Sequence, residues 1–321
     1  MSPAGPPGNT NRRRFLRRLA GVAVGAAAWR PRATAADAAG ASTVVLTRGG
    51  DLRARLEAAL DPLGGMRRFV QPGNTVVVKP NAAFGEQPQT GGNTNPEVIA
   101  AIVRLCREAG ARWVTVAEHC LSNHGLFGTK DDLSGITQAA SGAGAEVIDT
   151  GDTERNYLPL QLGAPGVDTH PISRYVLEAD VTINLPRLKT HPFAGYTMSV
   201  KNLMGTMCDP GCLHRDGWSD LPLRLACLAR ALQPHIALTI IDGTEIVRDW
   251  AAGSPGKLTR SDTLLAGTSM VSTDAIGVTL FGDDPLGEWR CATRASYLRL
   301  AHDRGWGVAD PAQIALVEAG S

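Results

Sequence analysis

Short apolar runs recur along the chain at the spacing of an alternating strand–helix protein. TVVVK (75–79), WVTVA (113–117), VTINL (181–185) and ALTII (237–241) are continuous and rich in β-branched residues. Such runs mark strands buried on both faces. Ser42–Thr47, Glu146–Asp149, Thr263–Ala266 and Ile314–Val317 read as further strands. Between them the apolar spacing turns helical. Asp51–Leu63 predicts a helix stopped by Gly64-Gly65. Asn95 is an N-cap with Pro96 behind it, and Gly110 is the matching stop. Ser134–Gly142, Ile172–Glu178, Leu221–Leu232 and Thr293–Arg304 are also read as helices, as is a segment from Thr273 with Asp274 in its first turn. Gly151–Pro171 reads as a loop or small hairpin. Asn81–Thr94, Met207–Ser219 and Trp250–Arg260 are polar or Gly/Pro-rich loops. The alternation predicts an α/β fold, a mostly parallel sheet with helices on both faces. Strand, helix and strand over 75–117 predict a right-handed crossover.

The first 35 residues break this pattern. Asn11–Arg17 carries paired arginines followed by Phe15-Leu16 and Arg17, then the short apolar run Leu19–Trp29 and small-x-small sites at Ala33–Ala35 and Ala36–Ala38. This is the layout of an export signal, and the twin arginines assign it to the Tat route. The Tat machinery is then a partner, and the destination is periplasmic or extracellular. The apolar run is too short for a spanning helix, which needs ~20 apolar residues. Losing its seven arginines takes the formal net charge from +1 to −6. A mildly acidic mature chain makes a nucleic-acid partner improbable, and nothing after residue 35 reads as a membrane span. Residues 36–321 are expected to form a single large α/β domain, a length that also fits two small lobes.

The chemistry gathers at strand ends. Asn184–Gly205 packs Arg187, Lys189, His191 and Lys201 behind the strand 181–185, where open α/β sheets bind ligands. The same edge receives Lys79 and Asn81, Glu118 and His119, Asp242, and Asp274, with Asn202 just after Lys201. Singly, each has a plain structural reading: a snorkelling lysine, a capping acid, a core histidine, an Asp-Gly turn at 242–243. Together they predict a site for a small anionic ligand. Lys79, Lys189 and Lys201, with Asn81, Asn184, Asn202 and Asp242, would hold it. His191, Glu118 and Asp274 would move a proton. The three acids could alternatively take a cation, making the site bipolar.

Cys208, Cys212 and His214 lie within seven residues of one another. With His119 they are candidate metal ligands, though C-x3-C-x-H is not a standard zinc spacing, and a Cys208–Cys212 disulfide or two free thiols fit as well. Cys106 and Cys227 read as buried thiols. There is no G-x-G-x-x-G, Walker loop, G-x-S-x-G or ferredoxin-type cysteine run, so no cofactor is named.

VVVKPN (76–81), NPEVIAAIV (95–103), VTVAE (114–118), LEADVTINLPRLKTH (177–191), SVKNLMG (199–205), HRD (214–216) and STDAIG (272–277) resemble domain-of-unknown-function family 362, over about residues 76–282. The resemblance implies site-like positions at Lys79, Asn81, Glu118, Lys189, His191, Lys201, Asn202, His214 and Asp274. Some members carry ferredoxin-type iron–sulfur modules, which implies a redox association; this sequence lacks those cysteines. The leading expectation is an exported enzyme acting on a small anion by proton transfer or redox chemistry. A non-catalytic binding protein for an anionic metabolite or metal chelate, and a metal-centred redox protein, are the alternatives.

Overall fold

The computed structural model of the protein describes residues 42–121, 126–151, 154–215, 219–252, 254–287 and 296–320. The predicted export signal and Cys291 lie outside the described residues. In chain order the strands are β1 (Thr43–Arg48), β2 (Thr75–Pro80), β3 (Trp113–Glu118), β4 (Glu146–Asp149), β5 (Tyr157–Ala164), β6 (Val167–Ser173), β7 (Val181–Leu185), β8 (Arg187–His191), β9 (Gly195–Thr197), β10 (Leu238–Arg248), β11 (Lys257–Gly267) and β12 (Ala315–Gly320). The helices are α1 (Leu52–Leu60), α2 (Met66–Phe69), α3 (Pro96–Glu108), α4 (Ile136–Gly142), α5 (Arg174–Glu178), α6 (Ser199–Asn202), α7 (Leu221–Leu232), α8 (Met270–Thr279) and α9 (Tyr297–Asp303).

The main sheet runs β12-β1-β11-β10-β7-β2-β3-β4, with the β8–β9 hairpin joined to it through β10. From β10 through β7, β2 and β3 to β4 every pairing is parallel, and β12 lies parallel to β1. Only β11 is antiparallel to both its neighbours. The fold is thus α/β, with a mixed, mostly parallel sheet and helices around it. The apolar runs of β2, β3 and β7 are buried because α3 lays Val98, Ile99, Ile102 and Val103 against them in one core. The Asn95 side chain accepts from the Glu97 amide at 2.9 Å to start α3, and Gly110 ends it with φ +103°.

Register brings the strand ends level. Lys79 on β2 faces Asn184 on β7, and Thr239 on β10 faces Asn184 from the other side. The cationic stretch after β7 forms the β8–β9 hairpin, with Lys189 paired to Thr197. Two expectations are corrected. Asp242-Gly243 is not a turn: β10 runs through it to Arg248, with a register shift between Gly243 and Glu245. Asp274 is not in a first turn: α8 starts at Met270 with Ser269 as its cap. Gly151–Pro171 takes the hairpin form of its two expected alternatives, β5 and β6 pairing antiparallel as a separate two-stranded sheet.

Candidate functional site

A cavity of about 360 Å³ opens where β2, β3 and the β8–β9 hairpin end. Eight residues singled out from the sequence line it: Asn81, Glu118, His119, Lys189, His191, Lys201, Asn202 and His214. The rest of the wall is largely apolar, with Phe84, Leu121, Phe193, Met204 and Trp250 prominent.

Behind that wall sits a buried ion pair. Lys79 Nζ donates to Glu118 Oε2 (2.9 Å), the Pro80 carbonyl (2.7 Å) and Asn202 Oδ1 (3.4 Å). Glu118 also accepts from the Ala82 and His119 amides, at 2.9 and 3.0 Å. Both residues are 1 % exposed. Burial pushes Lys79 down and Glu118 up, and their mutual attraction opposes both shifts. Hydrogen bonding decides for the charged pair. Three acceptors surround an ammonium that has three protons to give, and three donors converge on the carboxylate. Lys79 therefore does not line the cavity; it holds Glu118 in place.

Gly205 packs onto this pair. A Cβ there would lie 1.9 Å from Glu118 Oε1 and 2.8 Å from Lys79 Nζ, so glycine is required for close approach. Gly205→Ala is expected to cost roughly 1–3 kcal/mol, the range for overpacking. Urea denaturation checks it, and a midpoint equal to the parent's would mean that the contact is not tight.

The β8–β9 hairpin and the α6 turn supply the cations, and the loop before α3 receives one of them. Lys189 Nζ donates to the Gly92 carbonyl at 2.5 Å and lies 3.6 Å from the centroid of the Trp250 ring, a favourable cation–π placement. Gly92 must be glycine, since a Cβ there would lie 2.6 Å from Glu86 Oε2 and 2.8 Å from Trp250 Nε1. Burial lowers Lys189 well below its ordinary value, and the Lys201 charge lowers it further. Burial likewise brings Lys201 down to about 8. Among the described residues the Lys201 side chain makes no hydrogen bond and no ion pair, and Lys189 makes no ion pair. Asn81 Oδ1 on the same wall is buried with no hydrogen-bond partner, in a side chain 6 % exposed.

His191 Nδ1 accepts from the Phe193 and Ala194 amides at 3.2 and 3.1 Å. Burial, then Lys201, Lys189 and His214, push its protonation far down. The ring is therefore neutral with its proton on Nε2, a hydrogen-bond donor rather than a base. His214 is brought down to about 4 by burial and the Lys201 charge, and is neutral at physiological pH. His119 Nδ1 lies 2.9 Å from both Tyr157 Oη and the Met207 carbonyl.

The remaining predicted residues serve as supports. Asn184 accepts from Asn202 (2.8 Å) and donates to the Ser199 carbonyl (2.9 Å). Asp274, fully buried, accepts from the Ser199 amide (2.6 Å), the Val200 amide (3.0 Å) and Tyr297 Oη (3.1 Å). Burial raises it to about 6 against those bonds. It anchors the turn that presents Lys201 and does not line the cavity. Asp242, also absent from the wall, is taken by Arg187 at 2.6 Å, the Asn95 amide at 2.8 Å and Thr244. Cys208 and Cys212 are free thiols, and Cys212 Sγ lies 3.6 Å from His170 Nδ1. Among the described residues no group of three His, Cys, Asp or Glu side chains is placed to hold a metal.

Sequence reasoning missed Trp250, Phe84 and Gly92. An aromatic within each of two Gly-rich loops that follow strand ends was the available signal.

A mixed α/β protein whose strand ends enclose a cationic, aromatic-walled cavity is the class that fold and site define. The chain belongs to the family described as Domain of unknown function (DUF362), whose model matches residues 76–279. It is 34% identical over 217 residues to "Thylakoid-associated protein sll1697" of Synechocystis, covering 60% of this chain and 59% of that relative, so it spans about three-fifths of the relative's length. A crystal structure of a Thermotoga maritima protein aligns with TM-score 0.45 and 11% identity over 73% of this chain and 60% of that one. The lactate racemase apoprotein from Thermoanaerobacterium thermosaccharolyticum aligns with TM-score 0.41 and 14% identity over 68% and 53%. Among the described residues no helix is long and apolar enough to cross a membrane.

Proposed function

We propose that the protein is an exported enzyme that binds a small organic anion between Lys189 and Lys201 and moves a proton on it. One observation carries this reading: two lysines lowered by burial line one cavity and, among the described residues, neither makes an ion pair, Glu86 and Glu118 acting on Lys189 only at longer range. The Lys201 charge raises the cost of charging Lys189. An incoming carboxylate or phosphate would neutralise both, so the site favours an anion on electrostatic grounds. The apolar remainder of the wall favours an organic anion over a bare inorganic one.

Proton transfer is favoured by the two neutral imidazoles. His191 presents Nε2–H as a donor that would polarise a ligand oxygen, and His214 has acceptor capacity down to about pH 4. Glu118 is committed to Lys79 and to two amides, so it acts as a fixed negative charge in this scheme. The twin-arginine signal supports export by the Tat route, and the thylakoid-associated name of the Synechocystis relative is compatible with passage across a membrane.

A thermal-shift panel of small carboxylates and phosphate tests the reading. A ligand at a hundredfold excess over its Kd should stabilise the protein by about 2.7 kcal/mol. Lys201→Met and Lys189→Met should remain folded and lose the response. Affinity should fall as pH rises through about 8, where Lys201 loses its proton. An anion that binds both variants as tightly as the parent would remove this site.

A further inference from the structure

Lys201 differs from Lys189 in what it touches. The Lys189 ammonium donates one hydrogen bond to the Gly92 carbonyl and lies over the Trp250 face, which fixes its position and leaves protons for a ligand. Lys201 lines the same cavity, and its side chain makes no hydrogen bond or ion pair among the described residues. Its backbone is held unusually firmly for a single helical turn. Asp274 binds the Ser199 and Val200 amides on one side. Asn202 is tied to Asn184 and to the Lys79 carbonyl on the other, at 2.8 and 3.2 Å. A rigid platform thus delivers a half-buried amine with no side-chain partner into a largely apolar cavity beside a second lysine. Those are the conditions that turn a lysine into a nucleophile: desolvation and a neighbouring positive charge both favour the neutral amine.

We propose that Lys201 forms an imine with the carbonyl carbon of a small 2-oxo carboxylate, whose carboxylate rests on Lys189. This deepens the anion-binding reading above and rests on it. The neutral amine adds to the carbonyl carbon: a C–N bond forms, the C=O π bond breaks, and a proton passes from nitrogen to oxygen. The resulting carbinolamine then loses its hydroxyl with a second nitrogen proton as water, and C=N forms. Amine plus ketone gives imine plus water, with no oxidant or reductant. His191 Nε2–H is the donor available to polarise the ketone oxygen, and neutral His214 is available to relay the proton. With Lys201 near 8, the reactive form is well populated at pH 8. The aromatic wall of Phe84, Phe193 and Trp250 would receive the substituent on the ketone.

Reductive trapping tests the step. The purified protein is incubated at pH 8 with pyruvate or phenylpyruvate and cyanoborohydride, then digested and mapped by mass spectrometry. The expected product is a single adduct, equal to the oxo acid less one water plus two hydrogens, on the peptide containing Lys201. The exposed Lys130 and Lys257 serve as internal controls for unspecific labelling. Lys201→Arg keeps the charge, and should keep the thermal stabilisation by the oxo acid while losing the adduct. Failure takes two distinguishable forms. If the oxo acids stabilise the parent protein but neither leaves an adduct on Lys201, or the adduct falls equally on Lys130 and Lys257, imine formation is overturned and anion binding stands. If neither oxo acid nor any other anion stabilises the protein, both readings fall.

Discussion

Lys79→Met is expected to destabilise the protein by roughly 3–5 kcal/mol, the cost of leaving one member of a buried pair uncompensated. The stranded member is the Glu118 carboxylate, 1 % exposed, which would keep only its two amide donors. The double variant Lys79→Met/Glu118→Leu should recover much of the loss, because a well-packed apolar pair carries no desolvation penalty. The pH dependence has a definite sign. Without Lys79 the folded-state value of Glu118 rises further above its unfolded value near 4.3. A group raised in the folded state favours folding below its unfolded value and loses that contribution as pH rises. The Lys79→Met deficit should therefore shrink on acidification towards pH 4. Urea titrations at two pH values provide the measurement. A deficit independent of pH, or a double variant no better than the single, would show that Glu118 is not charged in the folded protein.

The same pair explains why the site was partly legible in the sequence. Apolar β-branched runs of five residues identify β2, β3 and β7, because length and β-branching favour a strand buried on both faces over a helix. Parallel strands then carry whatever follows them to one edge. That is why Asn81, Glu118, His119 and Lys189 converge although they are distant along the chain. What the sequence does not distinguish is depth. Lys79, Asn184, Asp242 and Asp274 sit at the right positions along the chain but face inward, where each is consumed by a hydrogen-bonded partner. A charged residue at a strand end reads identically whether its side chain turns to the cavity or to the core.

The elements that patterning does not mark have a related cause. The β8–β9 hairpin is built of RLKTH and GYT, whose cations and proline neighbours resemble a loop. Its lysine is buried only because Gly92 and Trp250 come from elsewhere to receive it. The polar first half of β11, KLTRSD, lacks an apolar run, since it extends past the core on an antiparallel ladder with β10. Asp242-Gly243 has the composition of a turn. It stays in a strand because Arg187, Thr244 and the Asn95 amide satisfy the carboxylate that would otherwise favour one.

Arg187→Met is expected to be as costly as Lys79→Met, again roughly 3–5 kcal/mol, and to damage the site as well as the fold. Burial opposes ionisation of Asp242, but the Arg187 charge and the donors from Asn95 and Thr244 outweigh it and hold the carboxyl below its ordinary value. Removing the guanidinium leaves that carboxylate fully buried with no counter-charge. Arg187 also bonds Glu245 at 2.6 Å, but Glu245 is more than a third exposed, so its loss contributes little. The functional consequence follows from connectivity. Asp242 pins the Asn95 amide at the start of α3, and the segment leading into that helix contains both Asn81 and the Gly92 carbonyl that receives Lys189. Arg187 itself lies two residues before Lys189 on β8. Arg187→Met should therefore lose stabilisation by small anions even where enough folded protein remains to measure it. Replacing Asp242 too, as Arg187→Met/Asp242→Asn, should recover stability more than anion response, because Asn cannot offer two carboxylate oxygens to Thr244 and Asn95. Denaturant midpoints and thermal-shift amplitudes on the same samples separate the two effects. A variant that loses stability but binds anions with parental affinity would show that the cavity wall does not depend on this pair.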